Sequence, residues 1–200
     1  MIRVVILDMY GVIMKHPEGA LMPYMHSNFP TLTESEVYAQ WREGNIGKLS
    51  SLDFFRNLGF PGDPAVWEQD YLDSLEIDEG FLEVAPKLKE RYRLGLITND
   101  FAEWSDYLRA KFGMDELFDA VVVSGAIGMK KPEPEVYRLL LQQLGANPAE
   151  CLFVDDRKEN LDAAAALGMQ VVLYNSRGIV FSGRIVYSFI ELLNMLNFLV

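Results

Sequence analysis

The chain has few of the residues that build disulfides and transition-metal sites: one cysteine, Cys151, and two histidines, His16 and His26, in 200 residues. A single thiol excludes an internal disulfide and fits a reducing compartment, so the cytoplasm is the expected location. The two histidines lack metal-ligand spacing and read as loop residues. Basic residues are outnumbered, 18 Lys and Arg against 29 Asp and Glu, for a net charge of −11. That balance argues against a nucleic-acid surface and gives no long-range pull on anions, so any anion site must be local. Long apolar runs are missing too. The apolar stretch 185 to 200 is broken by Glu191, Asn194 and Asn197 and falls short of the ~20 residues that span a bilayer; it reads as a packed helix, with Ser188 and Glu191 forming a capping box. Residues 1 to 13 lack the charged start, apolar core and small-residue cleavage site of an export signal. Neither a membrane partner nor export is expected, and no repeat or low-complexity segment stands out.

What the chain does have is core-forming material, 50% of its residues being hydrophobic, enough for one domain of ordinary size or one domain with an insert. The organising stretch is Val4 to Leu7, a β-branched apolar run that ends on Asp8 and is followed by Gly11. Such a run suits a strand buried on both faces of a parallel sheet. A carboxylate just past its carboxyl end stands on the rim where open α/β sheets hold ligands. Turn chemistry alone explains an Asp followed by Gly equally well, so the assignment depends on the rest of the chain.

Between residues 14 and 80 the composition turns aromatic, with turn clusters at 16 to 19 and 60 to 64. Helices are expected over 33 to 42, with Thr33 and Glu36 as the cap, over 51 to 58, and over 64 to 75. After residue 80 apolar strands at 94 to 98, 120 to 123, 152 to 154 and 171 to 174 alternate with helical stretches at 81 to 92, 102 to 112, 134 to 144 and 159 to 167. This alternation predicts an α/β fold, a doubly wound parallel sheet. Since the first strand belongs to that sheet, residues 1–13 and 81–200 form the expected core domain and 14–80 an inserted helical one.

Three strand ends carry polar residues: Asp8, then Thr98-Asn99-Asp100, then Asp155-Asp156. Carboxylates gathered on one rim repel one another and favour a cation, and oxygen ligands without histidine or cysteine favour Mg²⁺. A helix cap accounts for one aspartate of the 155–156 pair but not for both. Thr98 offers a hydroxyl to an anion, helped by amides at the start of the next helix. Asp100, with Glu103 three residues on, reads as the cap of that helix. Lys131 is held at a loop end by Pro132 and can neutralise a nucleophile and an anionic substrate, whereas Lys130 reads as solvated. Arg42 reads as an exposed helix-end arginine and Cys151 as buried.

At these places the chain resembles the haloacid dehalogenase superfamily of hydrolases. Asp8-Met9-Tyr10-Gly11-Val12 resembles the nucleophile motif, Ile97-Thr98-Asn99 the hydroxyl motif, Lys131-Pro132-Glu133-Pro134 the lysine motif, and Phe153-Val154-Asp155-Asp156 with Asn160 and Gly168 the acidic motif. Trp41-Arg42-Glu43-Gly44-Asn45-Ile46 looks like part of the small helical cap of the branch whose insert follows the first motif. The resemblance implies a Rossmann-like core in which Asp8 attacks the substrate covalently. It further implies that Thr98, with Asn99, binds the transferring group, that Lys131 steadies charge, and that Asp155 and Asp156 hold Mg²⁺ with Asp8 and the carbonyl of Tyr10. Phosphatases of the superfamily carry a second aspartate where this chain has Tyr10, whereas its dehalogenases carry tyrosine there but need neither metal nor the acidic pair. The expectation is a Mg²⁺-dependent phosphatase on a small phosphorylated metabolite. A 2-haloacid dehalogenase-like hydrolase and a non-catalytic binding or regulatory protein of the same fold stay open as alternatives, and oligomeric state is not read.

Overall fold

A computed structural model describes residues 1–15 and 21–198. Six strands, β1 (Val4–Leu7), β2 (Arg93–Thr98), β3 (Ala120–Val123), β4 (Cys151–Asp155), β5 (Gln170–Tyr174) and β6 (Arg184–Val186), form one sheet in the order β3-β2-β1-β4-β5-β6. Every neighbouring pair is parallel. The chain steps outward from β1 to β3, returns to the other side of β1 at β4, and steps outward again to β6. The reversal leaves a crevice at the carboxyl ends of the central strands, the place where such sheets bind ligands. Register fixes its walls: Leu7 of β1 pairs with Leu96 of β2 and Val154 of β4.

Among the described residues, four helices fall between β1 and β2 before the one that leads into β2: α1 (Leu21–Asn28), α2 (Glu34–Gly44), α3 (Ser51–Asn57) and α4 (Pro64–Ser74), then α5 (Glu79–Lys89). The rest are α6 (Ala102–Lys111), the single turn α7 (Ser124–Ile127), α8 (Pro134–Leu144), α9 (Lys158–Ala166) and α10 (Phe189–Phe198). Alternation along β1 divides the interior into two layers. Val5 and Leu7 face a cluster that includes Phe81 and Leu88 of α5, Phe189 of α10 and Trp104 of α6. Val4 and Ile6 face Val136 and Leu140 of α8 and Leu161 of α9. The first layer runs on without a break into α1 to α4 through Met25, Val37, Phe54 and Tyr71. At the junction Trp104 packs on Phe54, Tyr71 and Phe101, with ring centroids 5.5, 5.0 and 4.3 Å away. Burial on this scale, ~25 cal/mol per Å² of apolar surface, is what fastens the inserted helices to the sheet.

Local signals explain most element ends. Thr33 caps α2 through a capping box with Glu36, Ser50 caps α3, and Asp63 caps α4 ahead of Pro64. Three elements differ from expectation. Helix α1 has Pro23 within its first turn, where the missing N–H goes unused; this places His26 in the last turn of a helix rather than in a loop. His16 and the turn cluster around it lie outside the described residues. Strand β6 is three residues long, too short for alternation to reveal, and α10 begins after it. There Ser188 Oγ accepts from the Glu191 N–H at 3.3 Å, while Glu191 Oε2 accepts from the Tyr187 N–H at 2.8 Å, one residue before the position a capping box uses.

Candidate active site

The carboxyl ends of β1, β2 and β4 bring Asp8, Thr98 and Asp155 to one crevice, and the β3–α8 connection delivers Lys131 into it. Asp8, Lys131, Asp155 and Asp156 are all buried. The ammonium of Lys131 stands 2.7 Å from Asp8 Oδ1 and 2.7 Å from Asp155 Oδ2. Burial works against its charge, but Asp155 and Asp8 outweigh burial and hold its pKa above the usual lysine value. Asp8 Oδ1 also accepts from the Met9 N–H at 2.7 Å, so both contacts fall on one oxygen and Oδ2 is left for chemistry. Burial pushes the pKa of Asp8 up, and Lys131 offsets only part of that shift. Asp155 is held by Asn160 Nδ2, at 3.0 Å from each carboxylate oxygen, and by the Arg157 N–H at 2.8 Å.

Asp8, Asp155 and Asp156 each turn one oxygen into a space where all three lie within 4.8 Å of one another. Asp156 Oδ2 accepts from Arg177 Nε at 2.5 Å, while its Oδ1 is buried without a hydrogen-bond partner. Burial first, then Asp155, raise its pKa. Gly11, at φ +81°, presses against the same carboxylate: a Cβ built there would lie 2.5 Å from Asp156 Oδ2. The backbone thus closes on Asp156 in a conformation that favours glycine. With all groups ionised, three carboxylates face two cations, Lys131 and Arg177, and one buried oxygen is unpaired. That arrangement fits a divalent cation bound through oxygen.

Thr98 Oγ1 is likewise buried and unpartnered, as expected of a hydroxyl kept for a ligand. Asn99, expected at the substrate, spends both ends of its amide on the main chain of Lys131: Nδ2 donates to the Lys131 carbonyl at 2.9 Å and Oδ1 accepts from its N–H at 2.8 Å. It fixes the lysine loop while still lining the pocket. The reading of Asp100 as a helix cap is overturned. The N-cap of α6 is Phe101, with no side-chain cap, because Asp100 is drawn into the interior. Its Oδ1 accepts from the Phe101 N–H at 2.9 Å and its Oδ2 from the Tyr10 hydroxyl at 3.0 Å. Burial raises the pKa of Tyr10 well above the usual phenol value, with Asp100 adding to it, and raises that of Asp100 as well.

The pocket these groups share has a volume of about 240 Å³, and Lys130 lines it rather than standing free in solvent. Lining residues not singled out in the sequence include Arg177, beyond β5, Arg157, after β4, Trp104, on α6, and Tyr71, on α4, whereas Asn45, at the end of α2, was quoted only as part of the cap segment 41–46. Arg177 lies in the loop three residues past the end of β5, on the same edge of the sheet as Asp8 and Asp155. Cys151, at the start of β4, is buried, and burial pushes its thiol up to about 11. Arg42 is exposed in the last turn of α2.

A model of the haloacid dehalogenase-like hydrolases matches residues 2–168. The chain belongs to this family. Among its relatives, the sesquiterpene phosphatase astK of Aspergillus oryzae is 30% identical over 173 residues, covering 84% of this chain and 87% of the relative. The drimenol cyclase drtB of Aspergillus calidoustus is 25% identical over 183 residues, which cover 88% of this chain but 35% of the cyclase, so the chain spans about a third of that protein. Among solved structures, a haloacid dehalogenase family enzyme of Bacteroides thetaiotaomicron in complex with magnesium and inorganic phosphate superposes with a TM-score of 0.77 at 20% identity, over 91% of this chain and 98% of the other. The chain is therefore a hydrolase of the haloacid dehalogenase superfamily with its Rossmann-like fold. Among the described residues no helix is long and apolar enough to cross a membrane.

Proposed function

We propose that this hydrolase is a Mg²⁺-dependent phosphatase of a small phosphate monoester, with Asp8 as nucleophile. The observation that carries the reading is the buried acidic group with an unpaired Asp156 Oδ1, set beside an Asp8 that Lys131 clamps by one oxygen. Asp8, the Tyr10 carbonyl, Asp155 and Asp156 are the residues that would hold the metal, which when bound supplies positive charge opposite the phosphoryl oxygens. Asp8 Oδ2 attacks phosphorus as the ester oxygen departs. Water then cleaves the acyl phosphate, releasing inorganic phosphate and restoring the carboxylate. Thr98 Oγ1 donates to a phosphoryl oxygen, and Lys131 compensates the charge that builds there. Residues 14–80 act as a cap over a core of 1–13 and 81–200, keeping bulk water from the acyl phosphate. The sesquiterpene phosphatase among the relatives supports phosphoryl over halide chemistry.

Tyr10 favours the second reading, a metal-independent dehalogenase, because it occupies the place of the usual second aspartate. In the phosphatase it is a weak proton donor, its pKa being pushed up by burial, so activated aryl esters should turn over faster than alkyl esters. Phosphate release from an ester panel with and without Mg²⁺, run beside halide release from 2-haloacids, separates the readings. Mg²⁺-dependent phosphate release, lowered by roughly 10⁴-fold or more in Asp8→Asn, is the expected result. Metal-free halide release assigns the dehalogenase. A Tyr10→Asp variant that gains no activity over a flat background assigns a binding protein.

A further inference from the structure

Resting on the phosphatase reading, we infer that the substrate is the phosphate ester of an uncharged, largely apolar alcohol carrying a second neutral hydrogen-bonding group, and that Asn45 is the residue that reads that group. Two buried polar atoms lining the pocket mark where ligand atoms belong. Thr98 Oγ1 lies at the acidic end; Asn45 Oδ1, buried and without a partner, belongs to the inserted helices. A buried amide oxygen left unpaired costs about tenfold in a binding or folding equilibrium, and a substrate hydroxyl that donates to Asn45 Oδ1 recovers it.

The surroundings of Asn45 define the rest of the ligand. The inserted helices line the pocket with Trp41, Asn45 and Tyr71, none of them charged, and Trp104 of α6 adds a third ring. The pocket's cations, Lys130, Lys131, Arg157 and Arg177, all come from loops at the carboxyl edge of the sheet, on the side of the acidic group. An alcohol leaving from Asp8 toward the inserted helices therefore meets rings and one amide, with no cation among them. The loop that carries Asn45 is also fixed. A Cβ at Gly44 would meet the Phe101 ring at 1.9 Å, and one at Gly47 would meet the Gly125 carbonyl oxygen at 2.3 Å. Backbone pressed against the core on both sides of Asn45 keeps its amide from swinging out to water.

The test is a matched set of aryl esters with similar leaving groups: phenyl phosphate, 4-(hydroxymethyl)phenyl phosphate and 4-carboxyphenyl phosphate, assayed with Mg²⁺. The hydroxymethyl ester should have the highest kcat/KM, about tenfold above phenyl phosphate, and the carboxylate the lowest. In Asn45→Leu, similar in volume, the hydroxymethyl preference should fall to within about twofold while the carboxylate stays worst. Calorimetric binding of the same esters to Asp8→Asn should follow the same order. This arm separates the two claims: ordered binding without turnover in the wild type overturns the phosphatase and keeps the pocket assignment. Equal values, a preference for the carboxylate, or no binding of any ester overturns the assignment of Asn45, and the wild-type series decides even if Asn45→Leu fails to fold.

Discussion

The two halves of the pocket are built on opposite principles. On the sheet side, the carboxylates and Lys131 are buried and held by partners: Lys131 between Asp8 and Asp155, a half-buried Arg177 on Asp156, and the neutral Asn160 amide on Asp155. On the side of the inserted helices the wall is aromatic, joined to α6 by ring packing and by exposed polar contacts such as Asp73 with Tyr107 and Lys111. The first half holds a fixed charge pattern whatever the organic group. The second carries, among the described residues, no ion pair facing the pocket, and its rings are held by packing together with single polar contacts such as that of the Trp104 N–H with Glu68.

That contrast is broken most severely at Lys131. Replacing it with methionine leaves Asp8 and Asp155 facing each other uncompensated, and loss of one partner from a buried ion pair costs ~3–5 kcal/mol. Urea unfolding should show that loss, and Mg²⁺ should recover part of it. Next in size, Mg²⁺ at about 100 times its dissociation constant should stabilise the wild type by ~2.7 kcal/mol, read as a shift in the unfolding midpoint. Asp156→Asn, which removes a proposed ligand, should abolish the shift. Tyr10→Phe withdraws a hydrogen bond from the buried Asp100 and should cost ~1–3 kcal/mol; no loss would mean the contact is idle.

The smallest effect belongs to the other half. Hydrogen bonds from Gln69, Lys111 and Tyr107 pull the pKa of Asp73 down to about 2. A carboxylate lowered by folding stabilises the protein above its unfolded value of ~3.9, and that gain fades as pH falls toward 2. Asp73→Asn should therefore lower the urea midpoint slightly at pH 5, and the gap to wild type should begin to close below pH 4.

How much could be read in advance follows the same division. Strand ends were legible because apolar runs stop abruptly on Asp8, Thr98 and Asp155, and parallel topology gathers such ends on one edge. Arg177 lies three residues past the end of β5, so no abrupt change at the strand end marks it. Asp100 misled because Asp followed by Glu three residues on is a true capping pattern; burial beside Tyr10, a contact ninety residues away in the chain, outweighed the local preference. Tyr71 had no sequence signal, and Asn45 appeared only within the cap segment 41–46 with no role of its own, since which aromatic or amide of an inserted helix faces a ligand depends on tertiary packing. Helix α1 and strand β6 escaped for local reasons, an early proline and a length of three residues.

The lone thiol offers something practical. Cys151 opens β4, pairs across the sheet with Val4, and is sealed from solvent with its proton held tightly. A sulfhydryl reagent can reach it only when the layer between the sheet and α8 and α9 opens. The protein therefore carries its own reporter of opening in this layer of the core, and pulse alkylation in the presence of a candidate ligand would score tightening of the scaffold without any assay of turnover.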